Sequence, residues 1–359
     1  MKIIYLEDTI DSTTEAFRAA LASDQIDIEL KEISEFERSR SEILGDKTID
    51  GLIIDLKLDE NSENANYTAP PLAQAFRSKY AEIAKSGSRI DIPIILFSTD
   101  SKIDDLYAYD STSHDLFDFR MSKTSSEKYP LYSRRLFAIT NGYKQINSIQ
   151  GNVDINQLLK YNITELDPRI FEYCDTMPNL PANEYAKRIL RGLLFYDSYL
   201  IDENILAARL GIDKDVSQDW NKIKELYSDA KYAGIFSEGW ERWWMPEVNN
   251  IFKKISGGKS LSELKASDRL LYYTNDLNIT PAKLIEKSES TRFWTICRCY
   301  MKPLDPREGF RIIRSNRMPW HDSQYISLEA ALTRDYKTKN LILEPTELAR
   351  LKAIKDELK

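Results

Sequence analysis

The chain has 359 residues, with 50 Lys+Arg against 57 Asp+Glu, a net charge of −7 and two histidines. That length gives room for two or three domains, each with its own core, and the composition argues against a disordered or low-complexity chain. Three cysteines (Cys174, Cys297, Cys299) argue against a disulfide framework, and with so few histidines they argue against a Cys/His zinc site.

The first 145 residues alternate strand and helix signals, which predicts a parallel α/β sheet. Ile3–Leu6 reads as a strand leading into Glu7 and Asp8. Ser12 or Thr13 can cap a helix running to about Ala22. Ile26–Leu30 alternates as a short second strand, and Glu35–Leu44 reads as a helix. Gly51–Ile54 is an apolar run ending at Asp55, followed by a long polar loop over Asp59–Tyr67. Pro70-Pro71 opens a third helix. Ile94–Ser98 leads into Thr99, Asp104–Tyr109 is a weak helix, and Phe117–Ser122 leads into Lys123. Tyr129–Ile146 closes the region as a helix.

From about Asn152 amphipathic stretches dominate: Asn183–Tyr199, Glu203–Leu210, Ser217–Ala230, Trp240–Ile255 and Ser260–Tyr273. Gly257-Gly258 is the clearest break. Phe293–Tyr300 and Phe310–Ile313 are strand-like, with a Pro-bearing turn at Lys302–Asp305. Ser327–Arg334 and Pro345–Glu357 read as closing helices. The expected domains are therefore 1–148 and 152–359, the second divided near 257. The expected fold class is α/β: a doubly wound, flavodoxin-like five-stranded parallel sheet, then a mainly α-helical domain with a small strand-containing region.

Charge is unevenly spread. Residues 1–145 carry 18 basic and 26 acidic side chains, so the acidity belongs to the first half. Lys283–Lys339 carries 12 basic and 7 acidic residues, a mild basic bias. No apolar run approaches the roughly 20 residues needed to span a bilayer. The opening MKIIYLED reads as a strand followed by acids, not as a signal peptide. The expectation is a cytoplasmic protein without a membrane partner.

Glu7, Asp8, Asp55, Thr99 and Lys123 each follow an apolar run, placing them at the carboxyl edge of an open α/β sheet, where such folds bind ligands. Three carboxylates, a hydroxyl and a lysine are the parts needed to hold Mg²⁺ and accept a phosphoryl group on an aspartate. In this order they resemble the receiver domain of two-component response regulators, over about residues 1–145. The resemblance implies Mg²⁺ on Glu7, Asp8 and Asp55, Asp55 as phosphoacceptor, and Thr99 and Lys123 on the phosphoryl oxygens. It implies a histidine kinase or other signalling protein as partner, and a homodimer through the receiver. No enzyme is implied beyond turnover of the receiver's own phosphoryl group.

Four features depart from the receiver pattern. Asp100 stands where a very small residue is usual and adds negative charge beside the site. Thr124 replaces the proline that usually follows the lysine. Arg120 replaces the aromatic switch, although Phe119 is adjacent, and the loop after Asp55 is long. They support an alternative: a degenerate receiver used for docking, with Lys57 pairing with the acids in place of Mg²⁺. Such a module would serve as a non-catalytic adaptor, as in multi-gene bacterial defence systems.

Three segments of the second half carry competing readings. Glu203–Ile212 resembles the first helix and turn of a helix-turn-helix, with Ser217–Tyr227 as recognition helix, which gives a third function, a DNA-binding regulator. That helix also places Asp215, Asp219 and Glu225 toward phosphates, which is unfavourable. On a helix, Trp240, Trp243 and Trp244 would share one face, as a core anchor or a partner surface. Arg292–Trp320 interleaves six arginines with aromatics. It suits phosphates or single-stranded nucleic acid, or else a small sheet whose arginines pair with Glu289, Asp305 and Glu308. His321, beside Asp322, is the only candidate general base of the second half.

Overall fold

The computed structural model describes residues 1–58, 66–103, 115–174, 179–273, 277–314 and 317–357. The helix expected over Asp104–Tyr109, His114 and most of the loop after Asp55 lie outside them. The chain forms two compact units: Met1–Gly192 with Ala233–Trp240, and Leu193–Tyr232 with Glu241–Lys359.

The first unit is built on five strands: β1 (Lys2–Glu7), β2 (Asp27–Glu32), β3 (Gly51–Ile54), β4 (Ile94–Ser98) and β5 (Phe119–Ser122). They form one all-parallel sheet in the order β2-β1-β3-β4-β5. The short apolar runs of β3 and β4 are buried on both faces, as parallel strands are. Because side chains alternate, Ile4, Leu6, Leu52, Ile54, Ile94 and Leu96 meet helices α2 (Phe36–Gly45) and α3 (Ala69–Lys85) on one face. Tyr5 and Phe97 face the other way, against Phe17 of α1 (Ser12–Leu21) and Tyr129 of α4 (Tyr129–Ser148). The chain leaves β1 for β2 on one side and β3 lies on the other, so the ends of β1 and β3 flank the crevice where open α/β sheets bind ligands.

Local chemistry sets the helix ends. Asp11, rather than Ser12 or Thr13, caps α1: its carboxylate accepts from the Thr13 and Thr14 N–H groups at 2.9 and 2.8 Å. Proline sits in the first turn of α3 and of α4, where a missing N–H costs nothing.

The compact unit does not end at the expected linker near 150. Arg89 donates to the carbonyls of Ile149, Gly151 and Leu180 (2.8, 2.6 and 2.8 Å). Buried Asp91 accepts from the N–H groups of Ala182 and Asn183, at the start of a helix over Ala182–Ile189. These bonds tie Ile149, Gly151 and the stretch Leu180–Asn183 to the loop that precedes β4. The helix expected over Asn183–Tyr199 is shorter, giving way to a π turn at Leu190–Leu194.

The Ala233–Trp240 segment also belongs to this unit. Trp240 stacks edge-on against Phe119 at 5.9 Å, and Arg135 of α4 lies over both rings (5.3 Å from Phe119, 5.0 Å from Trp240). Trp240 is therefore not on a helix with Trp243 and Trp244, which form a short strand. The helix that follows begins only at Met245, where Pro246 fits its first turn.

Among the described residues of the second unit, short helices and irregular backbone alternate with three antiparallel ladders of two residues per strand: Leu200–Ile201 with Trp243–Trp244, Thr295–Ile296 with Pro303–Leu304, and Phe310–Arg311 with Tyr325–Ile326. Helices run over Glu203–Leu210, Met245–Ile255, Leu328–Thr333 and Pro345–Glu357. The stretches expected as helices over Ser217–Ala230 and Ser260–Tyr273 hold α-helix only at Trp220–Leu226 and Ala266–Leu270. One apolar cluster gathers Leu206, Ile223, Val248 and Phe252, and another gathers Cys297, Phe310, Ile326 and Ala330. The three cysteines are free and buried. Among the described residues no helix is long and apolar enough to cross a membrane.

Candidate functional site at the carboxyl edge of the sheet

Register builds the site. Leu6 lies opposite Ile54, so the next residues, Glu7 and Asp55, stand side by side across the crevice. Asp55 continues the ladder by donating its N–H to Leu6 O at 3.1 Å. Ser98 lies opposite Ser122, and Lys123 donates its N–H to Ser98 O at 2.8 Å, so the lysine rises from β5 beside the same edge.

The Lys123 ammonium reaches across β4 to both acids. It lies 3.1 and 3.0 Å from Glu7 Oε1 and Oε2, and 2.9 Å from Asp55 Oδ1. The side chains are 8% (Glu7), 6% (Asp55) and 16% (Lys123) exposed, so this ion triad is largely desolvated. Removing Lys123 would leave two buried carboxylates facing each other without a counter-charge. Tyr5 donates its hydroxyl to Glu7 Oε2, and the Lys57 N–H donates to Asp55 Oδ2 at 3.0 Å. The rings of Tyr5, Phe17 and Phe97 lie 5.6–5.9 Å from the ammonium and wall it from water.

The charges shift one another. Burial, then the neighbouring Asp55 carboxylate, push Glu7 up to about 7 despite Lys123 and the Tyr5 hydroxyl. Burial works against the Lys123 charge, but Asp55 and Glu7 outweigh it and the pKa rises. Glu7 therefore binds its proton more tightly folded, near 7, than unfolded, near 4.5. Its contribution stabilises the fold at low pH and is lost as pH climbs toward 7. Over pH 4.5–7 the wild type is expected to lose about 2 kcal/mol more stability than Glu7→Gln. Urea unfolding of both at several pH values checks this; parallel profiles would refute it.

Not all of the expected five converge. Thr99 is half-buried at the end of β4; its hydroxyl lies 3.4 Å from the Ser101 hydroxyl and bonds neither Asp55 nor Lys123. Asp8 follows β1, half-buried. Among the described residues no three His, Cys, Asp or Glu side chains are grouped to hold a metal ion. Lys57 meets Asp55 through its backbone, while the cation between the acids is Lys123. Asp100 accepts from Thr124 Oγ1 at 2.7 Å, and Thr124 Oγ1 lies 2.8 Å from Ser122 Oγ. The Thr124 hydroxyl, first among these contacts, draws the Asp100 pKa down. Tyr5 is the member that sequence reasoning missed. Its position inside an apolar strand marks it as core, and only the alternation placing it two residues before Glu7 on the same face hints otherwise.

The competing segments of the second unit are occupied internally. Gly211 ends the Glu203–Leu210 helix, but an added Cβ would meet Ala266 at 2.8 Å, so the close approach is not to the next helix. Lys222 and Lys224 pair with Asp219 and Glu203 at 3.0 and 3.1 Å. Glu289 and Glu308 do not take up the arginines of 292–320. Arg298 instead pairs with Asp197 at 2.8 Å, and Arg311 lies 3.6 Å from both Glu344 and Glu347. Asp322 pairs with Arg209 at 2.7 Å, and His321 Nδ1 accepts from the Met318 N–H at 3.1 Å.

Compared with known proteins, the chain matches no family model and no curated sequence.

Proposed function

We propose that the first unit is a receiver-like signalling module of flavodoxin-like type, and that Asp55 accepts a phosphoryl group which changes what the rest of the chain binds. The observation that carries this is the meeting of Glu7, Asp55 and Lys123 at the β1/β3 crevice, each one position beyond, or at the end of, a parallel strand. The Asp55 carboxylate attacks phosphorus as the N–P bond of a donor phosphohistidine breaks, and the acyl phosphate forms. Lys123 then stands beside the new phosphoryl oxygens and leaves Glu7 less neutralised. Glu7 and Asp55 are oxygen donors of the type that Mg²⁺ takes and already share one cation, while Asp8, next in sequence, is not grouped with them to hold a metal ion. Mg²⁺, when bound there, would supply neutralising charge. The implied partners are a histidine kinase and whatever the second unit contacts, in the cytoplasm.

A second function has its own support. The Tyr5–Glu7–Lys123–Asp55 network gives each of its polar groups a partner within the chain, and Asp100 is held by Thr124. That arrangement suits a charge-locked docking module that takes no phosphate. Incubating the full chain with acetyl phosphate and Mg²⁺ and weighing the intact protein separates the two. The expected result is the mass of one added phosphoryl group, absent in Asp55→Asn. No addition to the wild type would leave the docking module.

A further inference from the structure

The second unit holds a cleft that the reading of Asp55 does not use. It is lined by Tyr196, Asp197, Arg298, Arg314, His321 and Ser323, among others. Arg298 and Arg314 line it together with the carboxylates Asp197 and Asp322, which Arg242 and Arg209 also pair with from outside the lining. Asp197 pairs with Arg298 at 2.8 Å and Arg242 at 3.4 Å, and Asp322 pairs with Arg209. Arg314 is left over. Among the described residues no carboxylate lies within ion-pair distance of it. Its guanidinium instead lies over the Tyr196 ring, 3.7 Å from the centroid. Arg298 carries a second loose end: its Nε is buried with no hydrogen-bond partner.

The remaining groups in the cleft are mostly hydrogen-bond donors or can become so. Thr295 and Ser323 bring hydroxyls and Gln324 an amide. His321 accepts at Nδ1, so in the neutral ring Nε2 carries the proton. An uncompensated guanidinium, a second with an unused donor, and hydroxyls around them form the donor set that a tetrahedral oxyanion takes. The enclosed space is about 10 Å³, room for one water-sized atom. A sugar or base cannot enter; a single phosphoryl oxygen can, with the rest of the group at the mouth.

We propose that Arg298 and Arg314 form an anion site for a phosphoryl group, either free phosphate or the terminal phosphate of a small phosphomonoester. Arg314 is the recognising residue, held flat by Tyr196. Burial, and then the neighbouring Arg298, push the Arg314 pKa down, so an anion at this place relieves a standing electrostatic cost. The Arg-rich 292–320 stretch thereby keeps a phosphate role, at one pocket rather than along an extended nucleic-acid surface.

The test is calorimetric titration of the full chain with inorganic phosphate and, separately, with glycerol phosphate, at constant ionic strength set by chloride. Saturable binding that weakens at least tenfold in Arg314→Gln and persists in Arg317→Gln and in Asp55→Asn is expected. The Asp55 variant separates this site from the one on the first unit, whose failure would leave this result untouched. Binding of phosphate alone identifies the free ion, and binding of both identifies a terminal group. Should Arg314→Gln lose its native circular dichroism, Ser323→Ala, which alters no charge, is expected to weaken binding severalfold. Unchanged binding in a folded Arg314→Gln would overturn the proposal. So would the absence of saturation, or retention of a single-stranded oligonucleotide without any saturable phosphate binding.

Discussion

Asp118→Ala is expected to destabilise the first unit by about 3–5 kcal/mol. Asp118 lies just before β5 and works as a hub. Its carboxylate pairs with Arg77 of α3 at 2.7 Å and accepts from the Ile94 N–H at 2.8 Å and from the Tyr143 hydroxyl of α4 at 2.5 Å. The Arg77 and Asp118 side chains are 8% and 4% exposed. Arg77 spends its other donors on the carbonyls of Leu116 and Ile92, at 3.1 and 3.4 Å. Alanine would strand the guanidinium without a counter-charge and leave a strand N–H and a tyrosine hydroxyl unpaired, in a place water does not reach. Asp118→Asn keeps acceptor oxygen for part of this set and should cost less. Urea unfolding followed by fluorescence gives both values. A cost under about 1 kcal/mol for the alanine variant would mean that the pair behaves as a solvated surface bridge.

Gly142→Val is expected to cost about 3 kcal/mol, at the top of the range for an overpacked core. Gly142 sits in the middle of α4, where glycine is normally about 1 kcal/mol worse than alanine. A Cβ there would lie 2.1 Å from Cε1 and 2.5 Å from Cδ1 of Phe236. Phe236 is fully buried and has φ +69°, so the ring cannot be displaced without moving a backbone already in the left-handed region. The diagnostic is non-additivity. Phe236→Ala alone removes a large buried ring, at about 3–5 kcal/mol. In that background Gly142→Ala should be neutral or stabilising, while in the wild type it destabilises. Equal effects of Gly142→Ala in the two backgrounds would show that the ring is not what excludes a side chain.

Both residues lie on parts of the first unit that differ in how far the sequence revealed them. The central strands β1, β3 and β4 were legible because parallel strands buried on both faces are uninterrupted apolar runs, and β2 at the edge from its alternation. The polar residues that end them follow from the same pattern, which is why Glu7, Asp55 and Lys123 were found without any knowledge of which strands are neighbours. Tyr5 was not, because a buried tyrosine and a site tyrosine look alike until a partner is known. Thr99 shows the converse: a matching residue type at a matching place whose hydroxyl turns to Ser101.

The chain's division was hidden for a different reason. Arg89 and Asp91 hold Ile149, Gly151 and Leu180–Asn183 through backbone carbonyls and amides, contacts that leave no trace in a hydrophobic pattern. Trp240, Trp243 and Trp244 kept helical spacing by coincidence, because the helix waits for Pro246 and Trp240 goes to Phe119 and Arg135. In the second unit the ladders have two residues per strand, too few for a period of two to declare itself. The ion pairs that fix its arginines reach across 101 residues from Arg298 to Asp197 and across 113 from Arg209 to Asp322.

The most direct measurement for the phosphoacceptor role is a titration of the full chain with beryllofluoride in millimolar Mg²⁺, followed by calorimetry, with Asp55→Ala as control. Saturable binding by the wild type that is lost in the variant is the expected result. A folded wild type that binds no beryllofluoride under these conditions would contradict it and leave the Glu7–Lys123–Asp55 triad as a structural lock.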